Sequence, residues 1–315
     1  LVLGYLDPAF FAGGHLRLQP DAARRAIDEH VARPLGLDVD AAAAGMYRVI
    51  NANMAHGVRM ITIQRGLDPR AFPMVVAGGA GAVHACMIAA ELDIPTLVVP
   101  YAASILCATG MLLSDLQLDD VRSCVGPLAE IDPARLRGLI ATMTAAGRAE
   151  LRREHVPDDR IGHEIALDLR YLKQYHEVTL PVPRTAVDDG DHAAIAAAFH
   201  VEHDRLYGYD LASEGTGLEL INVRVRSIGR TDKPPLPLVP EGGADPSAAL
   251  KGHRRAFIPE TLGFAEIPIY DGHRLAAGNR LPGPALVERV DTAIFISAGY
   301  DGRVDRHGSL ILERR

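Results

Sequence analysis

Cysteines, clustered basic side chains and long apolar runs are all scarce in this sequence. Its three cysteines, Cys86, Cys107 and Cys124, form no Cys-x-x-Cys pair and no even set, which favours reduced thiols over a disulfide framework. The net charge is −7 and the 33 basic residues do not cluster, so neither nucleic acid nor an anionic membrane surface is an expected partner. No apolar run reaches about 18 residues and no basic segment precedes an apolar core at the start, so we expect neither a membrane span nor a signal peptide. The expected location is the cytoplasm.

The length and the composition favour an ordinary globular protein of about two domains. Of its 315 residues, 48% are hydrophobic and 23% are charged, which is enough apolar material for a sizeable core. The sequence opens on LVLGYLDPAF, without Met and already inside an apolar run. We therefore expect it to continue a longer sequence and to lack some functional parts.

The first third of the chain is predicted to begin with helices and then to alternate between strands and helices. Apolar residues at helical spacing cover residues 21–33 and 40–65, with Asp21 and Asp40 as expected N-caps. A strand, a helix, a strand and a helix follow in turn, at 75–77, 82–92, 96–99 and 103–113. This alternation is typical of a parallel sheet covered by helices.

The remainder is predicted to be rich in β-strands after one long helix. Residues Asp132 to His155 have amphipathic spacing, with Asp132 as the N-cap, and are interpreted as a connector between domains. Strands are predicted at 163–172, 176–183 and 218–229 and in five short runs of the tail, with a helix at 192–206.

A glycine cluster, GGAGAVHA at 78–85, separates the first short strand from its helix and has several interpretations. A dinucleotide-binding fingerprint would need a small residue where His84 stands and an acidic residue where Pro100 ends the next strand. A Walker-type phosphate loop would need a Gly-Lys-Ser/Thr sequence, which is absent. A tight turn without any ligand stays open, because glycine pairs are common at such turns.

The remaining interpretation of the cluster is a nucleoside site. The segment resembles the adenosine-binding part of the actin, sugar-kinase and heat-shock ATPase fold, where an apolar strand ends in Gly-Gly before a helix of small residues. Glycines let the backbone lie against a nucleotide, and the helix N-terminus offers free N–H groups to an anion. The candidate nucleotide-binding residues are Gly78, Gly79, Ala80, Gly81 and His84.

Several separated motifs, in order, resemble the hydantoinase A and 5-oxoprolinase family. They are LVLGYLDPAFFAGG (1–14), INANMAHGVRMITIQRGLDPRAF (50–72), GGAGAVHACMIAAELDIP (78–95), ATGMLLSDLQLDDVRS (108–123), RYLKQYHEVTLPVP (170–183) and PGPALVERVDTAIFISAGY (282–300). The resemblance implies an α/β fold in which residues 1–125 form the second half of an actin-like ATPase domain. A connecting helix in 126–158 and a β-rich C-terminal domain in 159–315 would follow.

The resemblance also implies an ATP-dependent enzyme that needs Mg²⁺ and works with a hydantoinase B-like subunit. Members of the family phosphorylate an amide or enol oxygen, which turns a poorly reactive group into an activated one. The implied substrate is a small cyclic amide such as a hydantoin, 5-oxoproline or a lactam, and the alternative is a ketone that is carboxylated. A non-catalytic module that binds a nucleotide or assembles with a partner is a third hypothesis.

One departure from the family pattern concerns the phosphate loops. Family members carry Asp-x-Gly-Gly-Thr loops upstream of the LVLGYLDP segment, and no sequence of that form is present here. We therefore expect this chain to bind the adenosine end of ATP and to be inactive without an N-terminal half or a partner that grips the phosphates and Mg²⁺.

The segment RYLKQYHEV is the best candidate for the chemistry, although an ordinary half-exposed strand pair would explain it equally well. Tyr171, Gln174, His176 and Glu177 are the candidate catalytic residues, because imidazole and carboxylate groups side by side suit general acid–base work. His200 and His203 stand one helical turn apart, but no third ligand is near in sequence, so no metal site is expected.

Overall fold

The computed structural model describes residues 1–315, with eight α-helices and thirteen β-strands. The helices are α1 (Pro20–Ile27), α2 (Arg33–Leu35), α3 (Val39–Ile61), α4 (Gly81–Glu91), α5 (Leu106–Leu113), α6 (Pro133–Arg153), α7 (Arg184–Asp188) and α8 (His192–Tyr207). The strands are β1 (Met74–Val75), β2 (Thr96–Val99), β3 (Leu116–Pro127), β4 (Ile161–Tyr171), β5 (Val178–Val182), β6 (Leu218–Gly229), β7 (Leu250–Ile258), β8 (Gly263–Asp271), β9 (Arg280–Pro282), β10 (Ala285–Glu288), β11 (Ala293–Ile296), β12 (Tyr300–Val304) and β13 (Leu310–Arg314). This mixture confirms the predicted α/β class, and no helix has both the length and the apolar character needed to cross a bilayer.

The chain forms two compact units whose bounds differ from the domains predicted at 1–125, 126–158 and 159–315. The first unit combines residues 1–110 with 235–315, and the second comprises residues 111–234. The tail joins the first unit because β13 pairs with β2 along four residues, from Leu310 opposite Val99 to Glu313 opposite Thr96. Hydrogen bonds between strands more than two hundred residues apart in sequence therefore place the tail in the first unit. No local sequence pattern predicts this pairing.

The first unit contains two sheets with different strand directions. One sheet has the order β1-β2-β13-β12-β9. The two strands from which a parallel sheet was predicted, β1 and β2, are parallel, and strands of the tail extend this sheet in antiparallel pairs. The other sheet has the order β11-β10-β8-β7. Helix α4 packs against β2 and β11, and its alanines share a core with Leu97, Ile294 and Leu312.

The N-terminal helices begin at residues other than those predicted. Asp38 is the N-cap of α3, because its carboxylate accepts the N–H of Ala41 at 2.8 Å. Asp40, the predicted cap, lies in the first helical turn and pairs with Arg24. Asp21 lies in the first turn of α1, which starts at Pro20.

The second unit is one antiparallel sheet with two helices packed on it. Its strand order is β3-β6-β4-β5, and α6 and α8 contact β6 and β5 respectively. Asp132 caps α6 as predicted. The helix buries Leu136, Ile140 and Met143 in the core of this unit, so it is part of the unit and not a free connector.

Candidate functional site

The glycine loop between β1 and α4 presents an open backbone surface. Gly78 has a φ of 88°, in the left-handed region that favours glycine, and its N–H donates to the carbonyl of Ala103 at 2.7 Å. A Cβ built on Gly78 would have no atom within 4 Å. The space over this peptide is therefore free for a group outside the chain, as the nucleoside hypothesis requires.

The next residue of the loop is tied to a turn near the end of the same unit. The hydroxyl of Thr292 donates to the carbonyl of Gly79 at 2.8 Å, and a Cβ on Gly79 would stand 3.0 Å from the carbonyl oxygen of Asp291. The carboxylate of Asp291 accepts a hydrogen bond from Ser104. These contacts fix the loop from one side while Gly78 stays uncovered on the other.

Helix α4 begins at Gly81 without a side-chain cap. Ala80 precedes it, no side chain accepts from its first N–H groups, and its first turn carries no acidic residue. Uncapped N–H groups at a helix start, together with the helix dipole, attract an anion. The residues proposed from the sequence for this purpose, Gly78 to Gly81, are thus contiguous with a suitable helix N-terminus.

His84 stands on the first turn of α4 in a half-buried setting. Its Nδ1 lies 2.9 Å from the Oδ1 of Asn51, and its ring stacks on Tyr47 with 5.2 Å between centroids. Burial lowers the pKa of His84 below its usual 6.5, so the ring is neutral at pH 7. With Nδ1 donating to Asn51, Nε2 is an acceptor, which suits a hydroxyl or amino group of a ligand.

A cavity of about 520 Å³ adjoins the loop within the first unit. Gly79, Ala80 and His84 form one side, and apolar side chains form most of the rest, including Leu1, Leu3, Tyr5, Leu6, Phe10, Phe11, Tyr47 and Val83. The volume and the mixture of apolar walls with a few polar groups are typical of small-molecule sites. Such a lining suits a small, mostly apolar group.

A charged cluster that the sequence had not singled out closes another side of the cavity. Glu288 is buried, accepts from the Nζ of Lys251 at 2.6 Å and lies 2.8 Å from an Nη of Arg254. The same Arg254 also reaches Asp7 at 3.0 Å. The charges of the two basic and two acidic side chains cancel. The cluster therefore orients the side chains of the cavity wall without adding net charge to it. The only sign of this cluster in the sequence is Glu288, at the end of the apolar run PALVE.

The candidate catalytic residues all lie in the second unit, around the turn between β4 and β5. Tyr171 is fully buried, accepts the N–H of Leu211 at 2.8 Å and places its hydroxyl 2.7 Å from the Nδ1 of His200. Its hydroxyl is therefore used inside the unit. Gln174 is half-buried and its amide lies 3.4 Å from the hydroxyl of Tyr209. His176 and Glu177 are exposed.

The two helical histidines serve packing. His203 is 3% exposed, its Nδ1 lies 2.8 Å from the carbonyl of Tyr209, and its ring packs among Tyr171, Tyr207 and Phe199. Nowhere in the chain do three or more His, Cys, Asp or Glu side chains meet in an arrangement that could hold a metal ion. The aromatic cluster instead anchors the turn that carries His176 and Glu177.

Comparisons with known proteins match nearly the whole chain to one family. The family model "Hydantoinase/oxoprolinase" matches residues 1–120, and "Hydantoinase/oxoprolinase C-terminal domain" matches residues 134–314. Caprolactamase subunit alpha of Pseudomonas jessenii is 32% identical over 97% of this chain and 44% of its own length. The acetophenone carboxylase gamma subunit of Aromatoleum aromaticum is 33% identical over 99% of this chain and 44% of its own.

A solved structure shows the same fold. The nucleotide-free structure of acetone carboxylase, from work on ATP-dependent acetone carboxylation, superposes with a TM-score of 0.80 at 25% identity. The superposed region covers 100% of this chain and 45% of the acetone carboxylase chain. The chain thus spans less than half the length of the relatives that it matches. The two family models together cover nearly every residue, and the chain belongs to the hydantoinase/oxoprolinase family.

Proposed function

We propose that this chain is part of an ATP-dependent enzyme that activates a small cyclic amide by phosphorylating its carbonyl oxygen before ring-opening hydrolysis. A cyclic amide resists water because resonance stabilises it. A phosphate on its oxygen makes the ring carbon electrophilic enough for water to add; the ring C–N bond then breaks as its nitrogen takes up a proton, and hydrolysis of the resulting acyl phosphate releases phosphate. The observation that carries the proposal is the open backbone of Gly78 beside the uncapped start of α4 and the adjoining cavity. The likeness to caprolactamase subunit alpha supports the choice of substrate.

A ketone carboxylase subunit is the second candidate for the function of this chain. The acetophenone carboxylase gamma subunit and the acetone carboxylase structure are similar over nearly the whole chain, which favours it directly. In that case the activated group would be an enol oxygen. A non-catalytic module that binds a nucleotide or assembles with a partner is the third candidate.

We further propose how this chain holds ATP. The backbone of Gly78, Gly79, Ala80 and Gly81 would lie against the adenosine, and the Nε2 of His84 would accept a hydrogen bond from it. The 315 residues contain no Asp-x-Gly-Gly-Thr loop for the β- and γ-phosphates and Mg²⁺. An N-terminal half with such loops would supply those contacts. The complete enzyme would also contain a hydantoinase B-like subunit and work in the cytoplasm, and this chain alone would be inactive.

We assign the acid–base work to His176 and Glu177, whose exposed side chains can reach a substrate. Tyr171 and Gln174 would act through them, because the first is buried and both anchor the turn to the aromatic cluster. Alanine at His176 or Glu177 in the full complex should lower kcat with the fold intact. Unchanged kcat in both variants would contradict the assignment.

Two glycine variants test the nucleotide site. Gly78→Ala places a methyl group in the open space over the loop, whereas Gly36→Ala does the same at a surface glycine with a φ of 66° and equally open surroundings. Both variants carry the strain of a left-handed alanine, about 1 kcal/mol. Calorimetric titration with ADP and adenosine should show at least about tenfold weaker binding for Gly78→Ala only. Equal affinities in the two variants would place the nucleotide elsewhere.

The substrate is identified by ATP consumption in the complex that contains the upstream half and the partner subunit. Turnover stimulated by hydantoins, 5-oxoproline or lactams supports the cyclic amide proposal, and turnover stimulated by ketones with bicarbonate supports the carboxylase. Nucleotide binding without turnover on any of them supports the third candidate.

A further inference from the structure

A groove of about 810 Å³ crosses the sheet of the second unit, apart from the residues discussed so far. Strands β3, β6, β4 and β5 all contribute to it, and three arginines line it, Arg184, Arg224 and Arg226. Arg224 and Arg226 are two residues apart on β6, so their side chains leave the sheet on the same face, about 7 Å from each other. Arg184 lies two residues after Val182 of β5, which pairs with Ile165 of β4. The residue before Ile165, Glu164, pairs with Arg226.

All three guanidinium groups are held in the same way. The Nε of Arg224 donates to Asp168 at 2.7 Å, that of Arg226 to Asp119 at 2.8 Å, and that of Arg184 to Asp188 at 2.9 Å. The terminal nitrogens of the three side chains make no hydrogen bond within the chain. A carboxylate therefore orients each group by its inner nitrogen and leaves the outer pair available.

The central arginine is the most firmly oriented of the three. Its partner Asp168 has no exposed surface and also accepts hydrogen bonds from Thr179 at 2.7 Å and Asn222 at 2.9 Å. The side chain of Arg224 is 43% exposed, so its terminal nitrogens face solvent while Asp168 holds its Nε in place. A paired fork of N–H donors held in this way matches the oxygens of a carboxylate or a phosphate.

The other charges of the groove limit the ligand to a small anion. Asp119 and Glu164 line the groove as well, and Asp168 and Asp188 pair with Arg224 and Arg184, so the three cations are met by four carboxylates. The groove therefore offers oriented N–H donors without an excess of positive charge. His163 adds no charge, because burial and the nearby Arg148 and Arg184 lower its pKa below the usual 6.5. The balance favours one compact oxyanion over a polyanionic chain.

We propose that this groove is a binding site for a small oxyanion, a phosphate or a carboxylate, held by the terminal nitrogens of Arg184, Arg224 and Arg226. The site is independent of the proposed nucleotide loop, which lies in the other unit. It would give the second unit a ligand of its own, whichever reaction the complete enzyme performs.

The test combines two variants with a matched control. Arg184→Gln and Arg226→Gln, alone and together, remove outer donors whose partners are exposed, while Arg224 keeps the buried Asp168 neutralised. Arg205→Gln removes an exposed arginine of α8, away from the groove, that is likewise paired with a carboxylate, Glu202. Far-UV circular dichroism and thermal unfolding check that each variant is folded.

Binding is measured on the 315-residue chain by NMR titration at constant ionic strength, with inorganic phosphate, glutarate and, as a non-specific reference, chloride. We expect saturable shifts with phosphate or glutarate at residues of β6 and α7, and at least about tenfold weaker binding in the double variant. The anion that gives saturable shifts shows whether the ligand is a phosphate or a carboxylate. The Arg205→Gln variant should bind that anion with the affinity of the wild type. Shifts that chloride reproduces, no saturation with either anion, or an unaffected double variant would each overturn the proposal.

Discussion

Replacing Asp168 by Asn tests whether the buried carboxylate is the main electrostatic support of the second unit. One oxygen accepts from Thr179 at 2.7 Å and from the Nε of Arg224 at 2.7 Å, and the other accepts from Asn222 at 2.9 Å and the same Nε at 2.9 Å. In the variant, one oxygen becomes an NH₂ group that points at donors. The substitution keeps the shape of the side chain and removes only the charge and part of the hydrogen bonding.

The expected loss follows from these contacts. Hydrogen bonds that involve a charged group contribute about 1.5–3 kcal/mol each, and an exposed partner reduces that value. Asp168 is fully buried, but Arg224 is 43% exposed and can be hydrated after the change. We therefore expect a loss of about 2–4 kcal/mol in the free energy of unfolding. Asp119→Asn, in an exposed pair with Arg226 on the same sheet, should cost only about 0–1 kcal/mol.

Urea unfolding followed by far-UV circular dichroism gives the free energies, since the chain has no Trp for fluorescence. Hydrogen exchange of the amides of β4 and β6 should locate the loss in the second unit. A difference of less than about 0.5 kcal/mol between Asp168→Asn and Asp119→Asn, an ordinary surface effect, would refute the reasoning.

The pH dependence of stability provides a second check on Asp168. Burial alone would raise the pKa of this carboxyl, but hydrogen bonds from Arg224, Thr179 and Asn222 outweigh it and hold the pKa below the usual 3.8. A depressed folded-state pKa means that the stabilisation is complete above the unfolded-state value and is lost as the pH falls through the folded-state value. Below about pH 5, the wild type should therefore lose stability more steeply than Asp168→Asn.

Three further outcomes are expected. Asp132→Ala removes the side-chain acceptor at the start of α6, at 2.9 Å from a backbone N–H, and should lower the free energy of unfolding by about 1 kcal/mol in urea titrations. Tyr300→Phe leaves the buried carbonyl of Ile94 without its donor at 3.0 Å and should cost about 1–3 kcal/mol by the same measurement. In the native protein, a thiol reagent should modify the exposed Cys107 first, because burial shields Cys86 and raises its pKa to about 12; mass spectrometry that finds Cys86 labelled equally fast would contradict this.

The candidate nucleotide loop was predictable because its signals are local. An apolar run, Gly78 and Gly79 and a small-residue helix lie within about twenty residues, and helix α4 begins at Gly81, within a residue of its prediction. The cavity beside it was not predictable, because its walls come from both ends of the chain, Leu1 at one end and Ala293 near the other. No periodicity relates residues that distant.

The groove and its buried carboxylate show the same limit. Asp168 interrupts an alternating strand, ALDLRY, which signals a polar residue in an unusual place, but Arg224 lies 56 residues away and only strand pairing brings them together. Gly147 gives a related case, since glycine in a helix interior costs stability. A Cβ at that position would collide with Ser227 of β6, so tertiary packing explains the residue.

The sequence by itself determined the α/β class, the long helices and the cap at Asp132, because spacing and capping act over a few neighbouring residues. Its ordered motifs also indicated the family to which the chain belongs. Only the tertiary structure decided that β13 joins β2, that Tyr171 points into a core, and that Arg224 is held by a buried carboxylate. Those outcomes depend on which distant strands pair by hydrogen bonds. The difference in free energy between one pairing and another comes from contacts throughout the fold, and no short segment of sequence contains it.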